Sequence, residues 1–339
     1  MTQRLSGSKI NILFLYNYLS SFVKRDFEIL KSRYKVIPVQ CTSLLSTFTL
    51  IWKVLPADCV VCWFGSLYFL PVVLFAKILG KKIIIIAGGY DVACVPEFRY
   101  GTMYGIIKRK LGRLLFRIAH IVAAVSRANA EEAHKYAKVP YKKLKLIYHG
   151  FNGKLQTNVA RIDKKEIMVL TVGYIDKRTI YRKGFLAIAR LSRLLPDVSF
   201  IIVGSYTNDA IRILKKASGD NINFKGYVSK EDLQGFFKRA KVYLQPSLHE
   251  AFGCSVAEAM LYNCIPIVSR RFALPEVVGD SGFYVDTNDL NDMARTVRFV
   301  LDSEPRFSET PRQRILRMFP LSKRLKLLSE LIENTCLRH

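Results

Sequence analysis

Short, continuously apolar runs rich in β-branched residues recur along this chain with helical patterns between them, and that alternation restricts the available folds more than any other feature. In the first half the runs are Ile10 to Tyr16, Tyr34 to Val39, Asp58 to Trp63, Lys82 to Ala87, Ile121 to Ser126 and Leu144 to His149. A strand with one wet face alternates apolar with polar residues, whereas a strand covered by helices on both faces reads as an unbroken apolar run, as IIII does at 83–86. A doubly wound parallel sheet with crossover helices is therefore expected. A second series, at 167–173, 198–204, 221–226, 241–247, 265–269 and 282–285, predicts a second domain of the same kind. Between the two, GFNGKLQTNVARIDKKE (150–166) is polar, holds two glycines and lacks apolar periodicity, so it reads as a linker. The expected domains are 1–156 and 162–319, and a chain of 339 residues is long enough for both. Open α/β sheets bind ligands beyond the carboxyl ends of their strands, which places the expected site in a cleft between the domains. Gly173 and Gly204 each close an apolar strand, where backbone turns sharply or approaches a ligand.

Charge narrows the partners. Lys and Arg number 53 against 27 Asp and Glu, a net charge of +26, with +17 in residues 1–155 and +9 in the remainder. Such a field draws nucleic acid, anionic lipid headgroups or phosphorylated small molecules. No nucleic-acid motif accompanies it, and the basic residues do not interleave with an aromatic stacking platform, so nucleic acid is the least supported of the three. The apolar share of 50% excludes disorder. Seven scattered cysteines fit neither a metal site nor a disulfide framework and suggest a reducing, cytoplasmic setting. Cys59 and Cys62 form a C-x-x-C inside an apolar run and read as core residues. The opening MTQRLSGSKI is neither a signal nor a transit peptide. The longest apolar stretch, Trp63 to Leu79, contains Gly65, Pro71 and Lys77 and falls short of the ~20 residues of a membrane span, so it reads as a buried or interfacial helix. YGIIKRKLGRLLFRIAHIV (104–122) is a basic amphipathic helix with two readings: packed on the sheet with a wet basic face, or docked on an anionic membrane surface.

The segment richest in chemistry is QPSLHEAFGCSVAEAMLYNCIPIVS (245–269), read as strand end, loop, helix and strand. With a helix starting near Phe252 or Gly253, the N–H groups of Phe252, Gly253, Cys254 and Ser255 form an anion site at the positive end of the dipole. Glu258, further along the helix, can accept both hydroxyls of a ribose diol, and Glu250 stands at the other end. His249 beside Glu250 lacks the second histidine of a metalloprotease helix, since position 253 is Gly.

In these residues the chain resembles the retaining glycosyltransferases of family 4. The resemblance covers most of the chain and is strongest from Val198 to Val285, where Glu250 and Glu258 match the family's two glutamates, flanked by PSLHEAFG, EAM and LPEVVGD. It implies a GT-B fold of two facing doubly wound Rossmann-like domains, with a last helix (320–339) crossing back to the first. VGYIDKRTIYRKG (172–184) is similar to the segment that places a basic pair on the donor diphosphate. Lys183 matches the lysine; Tyr174 stands where the arginine is usual, and Arg178 or Arg182 is expected to substitute. IIIIAGGYDV (83–92) resembles the acceptor-side loop, with Asp91 matching its aspartate, Gly88 in place of its histidine, and Gly89 following.

The resemblance implies transfer of a hexose or similar sugar from a nucleoside-diphosphate sugar to a glycan or lipid-linked acceptor, retaining anomeric configuration, with no metal and no cofactor. Glu250 and Lys183 are then the catalytic pair, Glu250 orienting the donor sugar. Arg178, Arg182, Phe252, Gly253, Cys254, Gly173, Gly204 and Glu258 hold the donor. A cytoplasmic enzyme visiting the inner membrane face through 104–122 follows. Open alternatives are a nucleotide-sugar-binding protein without turnover, a solvated charged face for Arg178, Arg182 and Lys183, and a turn-bracing role for Asp91.

Overall fold

The structure, a computed structural model, describes residues 10–153, 159 and 161–336. The N-terminal segment 1–9 and parts of the expected linker lie outside the described residues. The chain divides into two compact units, residues 1–149 with 322–339, and residues 150–321.

In the first unit β1 (Asn11–Tyr16), α1 (Ser21–Lys31), β2 (Lys35–Gln40), α2 (Leu44–Phe48), β3 (Cys59–Trp63), α3 (Leu70–Ile78), β4 (Lys82–Ala87), α4 (Ile106–Ile118), β5 (Ile121–Ala124), α5 (Arg127–Lys135) and β6 (Leu144–Leu146) follow in turn. The strands form one parallel sheet in the order β2-β1-β3-β4-β5-β6. Every residue of β3, all of β4 but its first and the four central residues of β1 are buried, which is why those runs carry no polar alternation. The chain steps one way from β1 to β2 and the other way for the rest, so right-handed crossovers put α1 on one face and α2, α3, α4 and α5 on the other.

In the second unit come β7 (Glu166–Val172), α6 (Thr179–Arg182), α7 (Phe185–Leu194), β8 (Ser199–Val203), α8 (Asn208–Ala217), β9 (Ile222–Gly226), α9 (Lys230–Arg239), β10 (Ala240–Gln245), α10 (Cys254–Leu261), β11 (Ile265–Ser269), α11 (Leu274–Val278), β12 (Phe283–Val285), α12 (Leu290–Asp302) and α13 (Pro311–Met318). Its parallel order is β12-β11-β10-β7-β8-β9. Winding from β7 proceeds through β8 to β9, and from β10 through β11 to β12, so β7 and β10 flank the topological switch point.

The last helix, α14 (Leu321–Cys336), belongs to the first unit from residue 322 onward. Its Arg324 is buried and donates from Nε to Asp26 at 2.6 Å and from Nη1 to the carbonyls of Ile147 and Tyr148. Asp26 also accepts from the Trp63 indole N–H at 2.7 Å.

Each run read as a strand forms one, with ends shifted by a few residues at most. The stretch from Trp63 to Leu79 is not one helix. Trp63 closes β3, Phe64 has φ +79, a 3₁₀ turn covers Leu67–Phe69, and only Leu70–Ile78 is α-helical, begun with Pro71 in its first turn. The C-x-x-C cysteines are core residues of β3, and burial pushes the Cys62 thiol up. Among the described residues no helix is long and apolar enough to cross a membrane.

Candidate active site

Lys183 and Glu250, both singled out from the sequence, meet in the segments that follow β7 and β10. Glu250 lies in the loop after β10, its side chain 12% exposed, and its Oε1 accepts from Lys183 Nζ at 2.9 Å, Gln245 Nε2 at 3.0 Å and Ser247 Oγ at 3.2 Å. Burial pushes this carboxyl up, but the cations of Lys183 and Arg182 outweigh it and hold Glu250 below the usual carboxylate range. All three donors meet Oε1.

Gln245 is oriented in turn. Its amide oxygen accepts from Tyr243 Oη at 3.1 Å and Ser255 Oγ at 2.9 Å, which turns its NH₂ toward Glu250. The buried Tyr243 hydroxyl also accepts from the Val172 N–H at 3.3 Å, joining the ends of β10 and β7. Burial, and then the neighbouring carboxylates of Glu250 and Glu258, push Tyr243 up. Both glutamates of the motif therefore act on one hydroxyl. Glu258 is half-buried in the second turn of α10, three residues after Ser255 and so on the same side of the helix.

The backbone keeps these groups close. Gly184, at φ +77, allows the Lys183 turn to approach β10, since a Cβ there would stand 2.5 Å from the Pro246 carbonyl. Gly204, at φ +142, lies against Gly173, with a Cβ position only 2.0 Å from the Gly173 carbonyl oxygen. Gly253, at φ +94, is the N-cap of α10, and the first intrahelical bond runs from the Ala257 N–H to its carbonyl. The N–H groups of Cys254 and Ser255 therefore precede the helical ladder. Phe252 contributes no side chain to the site, for its ring is buried against Phe151 and Phe319.

The two arginines separate. Arg182 is buried, donates to the His249 carbonyl at 3.1 Å, and its own carbonyl accepts from the Leu248 N–H at 2.7 Å, so it braces the loop that carries Glu250. Arg178 is exposed and lies 4.0 Å from Asp176.

In the first unit Asp91 is buried in the turn that follows β4 and accepts from the N–H groups of Gly65 at 2.7 Å, Gly88 at 3.1 Å and Gly89 at 2.8 Å. Burial raises its pKa and those donors oppose the rise. Of the two readings of Asp91 the geometry favours the brace, since backbone donors occupy both oxygens. A cavity of about 430 Å³ beside it is lined by Phe64, Leu67, Tyr68, Tyr90 and Lys108 among others. Gly88 has no room for a histidine, because a Cβ would lie 2.1 Å from the Phe64 ring.

Sequence reasoning named Glu250, Glu258 and Lys183 but missed Gln245, Ser247 and Tyr243, although the first two lie in the quoted segment. The available signal was a polar Gln at the end of a buried strand, which needs a partner.

Comparison with known proteins bears on the second unit and on the fold. Residues 154–315 match the family described as Glycosyl transferases group 1. An uncharacterized 41.2 kDa protein in the cps region of Klebsiella pneumoniae is 30% identical over 169 residues, 46% of this chain and 45% of that protein. The O-antigen chain mannosyltransferase B of Escherichia coli is 40% identical over 70 residues, 21% of this chain and 18% of that enzyme. The chain thus spans less than half the length of these curated relatives. The Anabaena protein Alr3699/HepE, crystallised with UDP and glucose, superposes with a TM-score of 0.77 at 15% identity, covering 96% of this chain and all of that one. At that identity the likeness concerns fold, and the fold is GT-B.

Proposed function

We propose that the protein is a glycosyltransferase that moves a sugar from a nucleoside-diphosphate sugar to a glycan or lipid-linked acceptor. The observation that carries this reading is the Lys183–Glu250 ion pair at the β7/β10 switch point, beside the N-terminus of α10 and within the group 1 domain. Departure of a diphosphate builds negative charge, and a cation with preset N–H groups stabilises it without reorganisation. Lys183 and the first turn of α10 would receive the diphosphate, and Glu258 the ribose. Glu250, held by three donors on Oε1, would orient the donor sugar through Oε2. In this reading transfer retains configuration, the leaving phosphate takes the acceptor's proton, no metal is needed and the enzyme works in the cytoplasm. The name of the Escherichia coli relative makes mannose the first sugar to try.

The test is a thermal-shift panel of UDP, GDP, ADP, CDP and dTDP with their sugar conjugates, in which a ligand at about 100 times its Kd adds about 2.7 kcal/mol. One nucleotide should shift the melting point, and its sugar conjugate should turn over on water or acceptor. Glu258→Ala should weaken nucleotide binding about tenfold or more, while Glu250→Ala should mainly lower kcat. No shift with any nucleotide in folded protein would overturn the reading, and binding without turnover would leave only the binding half.

A further inference from the structure

The first unit holds another cavity, of about 530 Å³, at the amino ends of β4, β5 and β6 and so at the opposite end of the sheet from Asp91. Three neighbouring parallel strands each bring a basic residue to it. Lys82 opens β4, His120 directly precedes β5, and Lys142 stands in the 3₁₀ turn Tyr141–Lys143 that leads into β6. Lys145 of β6 joins them. Lys82 and His120 are half-buried, Lys142 and Lys145 exposed. A further wall is α14, whose Leu327, Leu331 and Asn334 recur at the spacing of one helix face.

The ordinary work of lysines at such a place accounts for only one of them. Amino ends of parallel strands lie beside the carboxyl ends of helices, where a cation satisfies the last carbonyls. Lys143 does this at the end of α4, donating to the carbonyls of Arg117 at 2.8 Å and Ala119 at 2.7 Å. Among the described residues no carbonyl or carboxylate takes Lys82, Lys142 or Lys145. Glu330, the carboxylate of the lining, lies 3.8 Å from Lys326 along α14. The cations crowd one another instead. Burial, and then Lys77, Lys82 and Lys143, push His120 down; burial, and then Lys77 and Lys142, push Lys143 down. His120 is thereby neutral at about pH 7. Its Nδ1 accepts from the Ile83 N–H at 3.0 Å, so the proton of the neutral ring sits on Nε2. Among the described residues nothing accepts that N–H.

A cavity of ligand size, with cations that lack counter-charges and a spare N–H donor, suits an anion. Its apolar wall suits more than a bare ion, and a phosphate ester has both a charged head and a body. We propose that this cavity binds a small soluble organic phosphate. The phosphate meets Lys82, Lys142, Lys145 and the His120 Nε2–H, and the organic part lies against Leu327 and Leu331. Nothing in this rests on the transferase reading, since every lining residue belongs to the first unit, and Lys183 and Glu250 belong to the second.

Phenyl phosphate and inorganic phosphate are the probes, titrated calorimetrically into the full chain at about 0.15 M salt. Phenyl phosphate should bind, and several-fold more tightly than inorganic phosphate, because its ring meets the apolar wall. Lys82→Gln with Lys145→Gln should weaken binding about tenfold or more, with no fall in melting point, since two mutually repelling charges are removed. Lys215→Gln with Lys216→Gln takes the same charge from α8 in the second unit and should leave binding near wild type. Lys183→Gln should leave it unchanged too, which separates this cavity from the candidate active site. With phenyl phosphate bound, His120 should titrate at higher pH, because a neighbouring anion favours the imidazolium; its ring-nitrogen resonances are assigned by their absence in His120→Gln. Five results would overturn the proposal: no binding by folded protein, equal loss in both lysine pairs, loss in Lys183→Gln alone, an unmoved His120 titration, or inorganic phosphate bound as tightly as phenyl phosphate.

Discussion

At the scale of single residues, the unusual φ of Phe64 and the glycine at 88 are one arrangement. The Phe64 ring occupies the volume a side chain at 88 would take. Nearby, His149 is buried, its ring stacked at 12° on Trp63 with centroids 5.9 Å apart. Burial, and then the cations of Arg324 and Arg25, push its pKa well below the ordinary value. The folded state therefore refuses a proton that the unfolded chain accepts below about pH 6.5. Stability is unaffected by this group above that pH and falls as pH drops below it, by up to about 1.4 kcal/mol per pH unit until the folded state also protonates. His149→Phe keeps the stacking surface and removes the titration. Urea midpoints measured from about pH 7.5 down to pH 5 should slope less in the variant, and identical slopes would show that His149 is not the group responsible. Such detail was not legible in the sequence, since a histidine at a strand end has no visible partner until the chain is folded. Glu250 and Lys183 were legible because the segments around them are contiguous, whereas Tyr243 and Gln245 read only as strand residues.

At the scale of elements, the strands could be read because burial on both faces leaves a signal in every residue, as in β3 and β4. Divisions within apolar sequence could not. From Trp63 to Leu79 the composition is uniform, and the breaks come from backbone conformation at Phe64 and from the Pro71 start of α3. Apolar spacing marked α14 as a helix and the resemblance implied its place, but the residue that anchors it is polar. Arg324 and Asp26 are each 1% exposed, and the guanidinium also serves two carbonyls at the end of β6's following loop. Removing one partner strands a buried charge, so Arg324→Met should destabilise the first unit by about 3–5 kcal/mol. Replacing both, with Arg324→Met and Asp26→Leu, should recover part of that loss, although the Trp63 N–H then lacks its acceptor. Chemical denaturation of the two variants checks this. A double variant no more stable than Arg324→Met alone would mean that the carbonyl and indole bonds, and not the ion pair, hold the helix.

At the scale of the whole molecule, the net charge of +26 and the small group of cations in the candidate site act over different distances. Surface charges act at long range through water and are screened beyond about 8 Å at physiological ionic strength. Lys183 acts at contact, with its side chain only 18% exposed and its charge already set against Glu250 at 2.9 Å. On the proposed function, capture of an anionic nucleotide sugar should therefore depend on salt, and the chemical step should not. Raising ionic strength from about 0.02 M to about 0.3 M should lower kcat/KM for the donor several-fold, as expected for steered association, while kcat changes less than twofold. The natural control is a variant that reduces the field without touching the site, such as Lys215→Glu with Lys216→Glu on α8, which should lower kcat/KM at low salt and merge with wild type at high salt. Initial rates over a series of salt concentrations decide it. A fall in kcat equal to the fall in kcat/KM would mean that salt reaches the Lys183–Glu250 pair itself, and the site would then be far more open to water than its geometry shows.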